Sequence, residues 1–210
     1  ITDDLLTSIR SHADVDPEHL PMQLAIVDAC KDTFPVLMQV ACFDTVFHHD
    51  MPRVAQLLPI PRRYEAKGMR RYGFHGLSCE YLIQELRRID PERADKKVII
   101  LHLGSGASIT AVSGGKSIDT SMGFTPASGI PMSSRSGDVD PGALTYIMKS
   151  DNLTPLALEH LINHSSGLLG VSETTSDMHD LLQVEETDIR AKEAIDLFCY
   201  EAKKYIGAYI

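Results

Sequence analysis

The chain has 210 residues, of which 43% are hydrophobic and 23% are charged, a composition typical of a globular protein with a sizeable core. Its formal net charge of −9 disfavours a nucleic-acid partner, which usually requires a basic surface, but it is compatible with a small anion held by local positive charge. No apolar run approaches the length that spans a bilayer, so no membrane partner is expected. The four cysteines are widely spaced, which favours reduced thiols in a cytoplasmic protein over a disulfide framework or a zinc site.

The N-terminal part is predicted to contain two helices and a strand. Apolar residues recur at helical spacing from Asp4 to about His12 and from Met22 to Asp32. The segment Pro35–Phe43 is short and mostly apolar, which predicts a buried strand. A third helix is predicted from Gly76 to about Ile89. The residues predicted to share one face of it are Leu77, Tyr81, Leu82 and Leu86.

The clearest strand in the sequence is Lys97–Leu103. The runs Ser108–Ser113 and Lys116–Thr120, joined by a turn at Gly114-Gly115, predict a hairpin. Helices are then predicted over Pro141–Lys149, Pro155–Asn163, Ser176–Leu182 and from Asp188 to the last residue. Strands followed by helices predict a mixed α/β domain with a central sheet.

The two ends of the chain indicate a piece of a longer polypeptide. The apolar stripe of the last predicted helix continues to Tyr209, with no capping glycine or polar tail after it. The first predicted helix begins equally abruptly. We therefore expect these 210 residues to be a fragment.

A loop with one arginine among small residues is the strongest candidate for a functional site. It runs from Gly123-Phe124-Thr125-Pro126 to Ser134-Arg135-Ser136-Gly137-Asp138-Val139-Asp140-Pro141. A guanidinium group presents a planar fork of donors that suits a phosphoryl or carboxylate group, and small neighbours let a charged ligand approach closely. From the residues alone, a structural salt bridge of Arg135 with Asp138 or Asp140 is the alternative.

Further segments place a polar, reactive residue after an apolar run and beside a small residue. They are Phe43–His48, Arg70–Gly76 and Leu101–Ser108. Together with Asp119–Pro126 and Ser166–Gly170, in this order, they make the chain resemble the acetate kinase family of acetate and propionate kinases, from about His19 to the last helix.

This resemblance implies a partial α/β domain of the actin, sugar-kinase and heat-shock-chaperone type, which is ribonuclease H-like. Residues 1–150 would form the acyl-substrate and phosphoryl-transfer region with the central sheet. Residues 151–210 would form a helical segment leading into a truncated nucleotide-binding domain. The parts of the family pattern that the chain lacks are an N-terminal Asn-x-Gly-Ser-Ser phosphate loop, an upstream arginine and a C-terminal Gly-Gly-x-Gly-Glu-Asn segment.

The activity that the resemblance implies is direct in-line phosphoryl transfer between ATP and acetate or propionate, giving ADP and an acyl phosphate. It also implies Mg²⁺ as the metal and a homodimer as the assembly. Two alternatives remain open. One is an actin-like nucleotide-binding module without carboxylate kinase activity, and the other is a catalytically incompetent fragment of such a kinase.

The resemblance implies catalytic roles for Arg135, His75 and Asp44. Arg135 would stabilise charge on the migrating phosphoryl group, a step that depends mainly on positioning and electrostatics. His75 would donate a hydrogen bond to the same group. Asp44 would lie near the magnesium ion and Arg135, holding a metal-bound water or orienting the guanidinium. The alternatives are a structural hydrogen bond for His75 and a turn-capping role for Asp44.

The resemblance also implies substrate-binding and nucleotide-binding residues. For the acyl group they are His19, Phe74 and Pro126, although Glu18 stands where the family has an apolar residue, and plain core is the alternative for Phe74 and Pro126. For the nucleotide they are His102, Gly104, Ser105, Gly106, Asp177 and His179. Ser105 stands where the family more often has asparagine, and His179 where it more often has arginine. His102 has a buried strand histidine as its alternative.

The run His48-His49-Asp50 could suggest a metal cluster. Adjacent histidines point apart, so a solvated loop is the preferred interpretation. No metal ligand within the chain is predicted.

Overall fold

The structure of the chain, a computed structural model, describes residues 1–11 and 20–210. It contains two compact units, Ile1–Phe43 and Asp44–Ile210. The helices are α1 (Asp3–Arg10), α2 (Leu20–Thr33), α3 (Arg53–Gln56), α4 (Arg62–Glu65), α5 (Gly76–Ile89), α6 (Pro91–Ala94), α7 (Pro141–Ser150), α8 (Pro155–His164), α9 (Gly167–Ser172), α10 (Met178–Val184) and α11 (Ile189–Tyr209). The strands are β1 (Lys97–Leu103), β2 (Ala107–Ser113) and β3 (Lys116–Thr120).

The first unit contains α1 and α2, which confirms both helices predicted there. The Thr2 side chain caps α1 by accepting a hydrogen bond from the Leu5 amide at 3.2 Å. An ion pair links Arg10 of α1 to Asp28 of α2 at 2.6 Å. The end predicted for the first helix, His12, lies outside the described residues.

The strand predicted over Pro35–Phe43 is wrong, because this segment forms no regular structure. Its apolar side chains are exposed rather than buried, with Val36 at 92% and Met38 at 91%. A strand needs a neighbour to satisfy its backbone donors and acceptors. Within the described residues, no other strand pairs with this segment.

The sheet of the second unit has the order β1-β2-β3 and is antiparallel throughout. Lys97 pairs with Ser113 at one end of the β1–β2 ladder and Leu103 pairs with Ala107 at the other. The predicted strand and hairpin are therefore confirmed. The segment 104–106 is consequently the short turn that joins β1 to β2.

The central strand β2 is buried on both faces because helices cover both. Ala107 and Ile109 belong to one core cluster with Ala202 of α11. Val112 belongs to another with Cys79 of α5. Since side chains alternate along a strand, Ser108, on the same face as Val112, lies on the α5 side of the sheet.

The helix predicted from Gly76 to Ile89 is confirmed as α5, but the face that it buries is not the one that carries Leu77 and Tyr81. Its buried residues are Gly76, Cys79 and Ile83. The residues predicted to share a face are largely exposed, with Leu77 at 47% and Tyr81 at 63%. Cys79 and Ile83, one turn apart on α5, pack on the sheet in a cluster with Ile100 and Val112.

The helices predicted after the sheet are confirmed, and the structure adds the short helix α9, which was not predicted. A third core cluster joins α9, α10 and α11 through Leu168, Leu181 and Ala191. No helix in the described ranges is both long and apolar enough to cross a membrane. The functional division predicted at residue 150 stays a prediction.

Candidate functional site

His75 lies immediately before α5 in the left-handed backbone conformation, with φ of 58°. Two hydrogen bonds to Asp44 hold it there. The His75 amide donates to Asp44 Oδ2 at 2.6 Å, and the Gly76 amide donates to the Asp44 carbonyl at 2.7 Å. A carboxylate at a helix N-terminus is favoured by the free amides and the helix dipole. Asp44 therefore caps the N-terminus of α5, which is distant in the sequence. It does not cap a turn that begins at Asp44 itself.

The imidazole of His75 is fixed by contacts on two sides. Its Nδ1 lies 2.9 Å from Ser108 Oγ of β2. Its ring stacks on that of His102, with centroids 4.0 Å apart and an angle of 17° between the planes. His102 is held in turn by Ser78 of α5, whose Oγ lies 3.0 Å from His102 Nδ1. The two histidines are thus brought together, as the sequence predicts for a shared site.

The turn Gly104-Ser105-Gly106 lies next to the Nε2 atoms of His75 and His102. A Cβ atom added to Gly106 would lie 3.2 Å from His75 Nε2 and 3.4 Å from Arg135 Nη1. One added to Gly104 would lie 3.2 Å from His102 Nε2. The guanidinium of Arg135 and Nε2 of His75 therefore converge beside Gly106, and a side chain at position 106 would crowd both groups.

The loop that carries Arg135 is anchored through its backbone. The Ser133 amide donates to the carbonyl of Ser105 at 3.1 Å, which joins this loop to the β1–β2 turn. The Leu168 and Leu169 amides of α9 donate to the carbonyls of Met132 and Ser133 at 2.9 and 3.0 Å. The N-terminus of α9 thus fixes the loop on its other side.

The salt-bridge alternative for Arg135 is wrong. Asp138 accepts from the Gly129 amide at 2.9 Å and from the Tyr205 hydroxyl, and Asp140 caps α7 through the Ala143 amide. Within residues 1–11 and 20–210, the one hydrogen bond of the Arg135 side chain is to the Pro126 carbonyl at 3.5 Å. A half-buried guanidinium without a carboxylate partner is free to bind an anion.

The electrostatic surroundings keep His75 neutral. Burial, aided by the nearby His102 and Arg135, lowers its pKa to about 4 despite the opposing charge of Asp44. At neutral pH the ring therefore carries one proton and can donate one hydrogen bond. Positive charge at this site is consequently supplied by Arg135.

The solvated-loop prediction for His48 is wrong, because this side chain is buried at 1% exposure. Its Nε2 lies 2.8 Å from the Phe74 carbonyl and its Nδ1 lies 2.9 Å from Ser117 Oγ. A carbonyl can only accept, so Nε2 carries the proton and His48 holds the backbone next to His75. For His49 and Asp50 the prediction is confirmed, since both are exposed.

The remaining predicted residues have varied positions. Phe74 is half-buried and packs against the cluster that contains Ile109, and Pro126 is half-buried in the loop before Arg135. Asp177 caps α10 by accepting from the His179 amide at 2.8 Å, and both are exposed. No hydrogen bond or ion pair in the described part of the chain links them to Arg135. His19 lies outside the described residues.

Three residues of the site were missed by sequence reasoning. Ser108 and Ser78 orient the two histidines, and buried His48 supports the turn before His75. The alternation of β2 was a signal for Ser108, since it shares a face with Val112. No local signal distinguished Ser78 from an exposed helical serine.

Comparison with known proteins gives one consistent result. A sequence model of the Acetokinase family matches residues 1–210. Acetate kinase of Brachyspira hyodysenteriae is 43% identical over 211 residues, which covers 100% of this chain and 53% of that protein. Acetate kinase of Acetivibrio thermocellus is also 43% identical, over 213 residues, with the same coverage of 100% and 53%.

Solved structures agree. The crystal structure of Porphyromonas gingivalis acetate kinase has a TM-score of 0.91 at 39% identity, covering 100% of this chain and 53% of that one. A propionate kinase from Francisella tularensis has a TM-score of 0.94 at 37% identity, covering 100% and 54%. These similarities confirm the predicted fold class, and the chain spans about half the length of the relatives it matches. The chain belongs to the acetokinase family.

Proposed function

We propose that the full-length protein containing this chain is a carboxylate kinase. It transfers a phosphoryl group reversibly between ATP and acetate or propionate, giving ADP and an acyl phosphate. Family membership supports this activity, as do the similar proteins, which are an acetate kinase and a propionate kinase. The observation that carries the proposal is the convergence of Arg135 Nη1 and His75 Nε2 beside Gly106, with no carboxylate paired to that arginine among the described residues.

In this mechanism the phosphoryl group passes in line between the two substrates without a phosphoenzyme. Arg135 binds its equatorial oxygens and stabilises the charge that spreads over them in the transition state. Neutral His75 donates a further hydrogen bond from Nε2. The backbone amides of the turn 104–106 add donors without adding side-chain bulk.

Asp44 fits an indirect role at a magnesium ion. One of its carboxylate oxygens accepts from the His75 amide, while Oδ1 has no hydrogen-bond partner within the described ranges. Magnesium keeps most of its waters and uses few carboxylates, so Oδ1 is suited to receive a metal-bound water. When bound, the ion would neutralise charge on the nucleotide phosphates.

The other assignments follow the family pattern. His102, Gly104, Ser105, Gly106, Asp177 and His179 are proposed to face the nucleotide, and His19, Phe74 and Pro126 the acyl group. The stacking of the His102 ring on that of His75 supports the assignment of His102, because His75 is proposed to contact the phosphoryl group. A homodimer and a cytoplasmic location remain predictions.

The test is the formation of acyl hydroxamate from acetate, ATP and hydroxylamine by the full-length protein, repeated with propionate. We expect Arg135→Ala to lower kcat by about 10³-fold or more, because an arginine at the transferring group acts mainly in the transition state. Arg190→Ala is the matched control, since Arg190 is exposed and paired with Glu173 at 2.8 Å. Near-normal turnover of Arg135→Ala would refute the proposed role.

An actin-like nucleotide-binding module gives a different outcome. Such a protein would bind ATP but form no hydroxamate with acetate, propionate or butyrate. Equilibrium binding of ATP to the same full-length preparation separates this outcome from simple misfolding.

A further inference from the structure

Ser108 is a buried residue whose hydroxyl contacts the His75 imidazole on the side opposite Nε2. Its exposure is 1%, and the alternation of β2 directs it to the α5 side of the sheet. Its Oγ lies 2.9 Å from His75 Nδ1. In the part of the chain that the structure describes, this is the only hydrogen bond of the Ser108 side chain.

This contact can be made in two ways, which differ in where the proton of the neutral imidazole lies. If Nδ1 carried the proton and donated to Ser108, the buried hydroxyl would have no acceptor of its own, which is unfavourable. If the hydroxyl donates to Nδ1, both groups are satisfied. The single proton of the ring then lies on Nε2.

We infer that Ser108 is a positioning residue, whose hydroxyl donates to His75 Nδ1 and thereby keeps the imidazole proton on Nε2, beside Arg135. This inference rests on the proposed function for its catalytic consequence. With this tautomer, the site presents two donors, Nε2–H and the guanidinium, to one anionic group next to Gly106. The opposite tautomer would present a lone pair to the oxygens of that group and repel them.

The pair formed by His48 and Ser117 provides an internal comparison. The distance from Nδ1 to the serine oxygen is again 2.9 Å. At His48, however, the proton is independently held on Nε2 by the Phe74 carbonyl at 2.8 Å. Removing the serine hydroxyl should therefore change the tautomer at His75 but leave it unchanged at His48.

The tautomers are measured directly by ring ¹⁵N chemical shifts of labelled histidine in the full-length protein at pH 7.5, with resonances assigned by His75→Gln and His48→Gln. We expect the Nε2–H form at both positions in the unmodified protein. Ser108→Ala should give a mixture of tautomers at His75, whereas Ser117→Ala should leave the Nε2–H form at His48. Ser108→Thr, which restores a hydroxyl, should restore the single tautomer.

Kinetics provide the second readout. We expect Ser108→Ala to lower kcat about tenfold, the equivalent of one hydrogen bond, while KM for acetate stays within about twofold. Ser108→Thr should recover most of the loss. A purely structural role for Ser108 would leave the ring ¹⁵N shifts of His75 unchanged.

The inference is overturned if His75 in the unmodified protein carries its proton on Nδ1. It is equally overturned if Ser108→Ala folds and keeps a pure Nε2–H ring. These outcomes are independent of the proposed function. Hydroxamate formation by the unmodified protein together with an Nδ1–H ring would refute this inference alone. No hydroxamate formation by the unmodified protein together with an Nε2–H ring would refute the proposed function alone.

Discussion

Gly167, the first residue of α9, anchors the loop that carries Arg135, and replacing it with alanine should be strongly destabilising. Its φ of 60° is a conformation that alanine adopts at a cost of about 1–2 kcal/mol. The added Cβ would also lie 2.2 Å from the Met132 carbonyl oxygen and 2.6 Å from that of Arg135. Both are backbone atoms and cannot rotate away, so relieving the overlap adds about 1–3 kcal/mol. We expect a total loss of about 2–5 kcal/mol.

Two other glycines separate these contributions. Gly114 has a φ of 59° but no atom within 4 Å of its added Cβ, so Gly114→Ala should cost only the conformational part, about 1–2 kcal/mol. Gly207 lies within α11, also in open space, and Gly207→Ala should stabilise the protein by up to about 1 kcal/mol. Together the three variants isolate the effect of the overlap at Gly167.

The assay is urea unfolding of the full-length variants, followed by circular dichroism, with hydroxamate formation measured on each. We expect the order of stability to be Gly207→Ala, unmodified protein, Gly114→Ala and then Gly167→Ala. Only Gly167→Ala should also lose activity, because its overlap displaces the backbone at Arg135. If Gly167→Ala unfolds at the same urea concentration as Gly114→Ala, the close packing of α9 on this loop is not what fixes it.

Two further predictions concern ionisation. The pKa of His75, lowered to about 4 by burial, should appear in an NMR titration of the full-length protein, and His102→Asn should raise it because the second imidazole contributes to the lowering. The folded pKa lies below the unfolded value of 6.5, so the stability that the neutral ring contributes is present above pH 6.5 and is lost as the pH falls towards 4. A titration midpoint of His75 above pH 6 would contradict the lowered pKa. Burial raises the pKa of the Cys79 thiol to about 11, so Cys79 should resist alkylation at pH 8 until the protein unfolds, while exposed Cys199 reacts at once. Modification of Cys79 at the rate of Cys199, located by peptide mass analysis, would disprove the burial argument.

Local sequence patterns predicted the elements whose signals are themselves local. The strand Lys97–Leu103, the Gly114-Gly115 turn and the helices α7 and α8, which begin with a proline, are all set by backbone preferences of a few residues. The same patterns were wrong for Pro35–Phe43, because a strand needs a hydrogen-bonded neighbour and none of the described strands pairs with this segment. They also did not identify the buried face of α5, because packing on the sheet buries Cys79 and Ile83 rather than the predicted apolar stripe.

The candidate site shows a similar division. Motif resemblance brought Arg135, His75, His102 and Asp44 into one proposal, and the structure places the three side chains of Arg135, His75 and His102 around the turn 104–106. Asp44 was predicted at the end of a strand that does not form, and instead it caps α5 through the His75 amide. The supporting contacts of His48 and Ser108 join residues 26 and 33 positions apart from their partners, and no local pattern carries that information.

The central strand β2 supports the candidate site on one face and fills the hydrophobic core on the other. Along β2, Ser108 points to the His75 side, and its neighbour Ile109 fills the opposite core at 0% exposure. Inserting or deleting a single residue in β2 before Ser108 would exchange the faces of Ser108 and Ile109. It would place an isoleucine side chain against the His75 imidazole and a serine hydroxyl in the hydrophobic core. Evolution of this family is therefore expected to accept substitutions within β2 but to reject length changes there, because chemistry and folding depend on the same alignment.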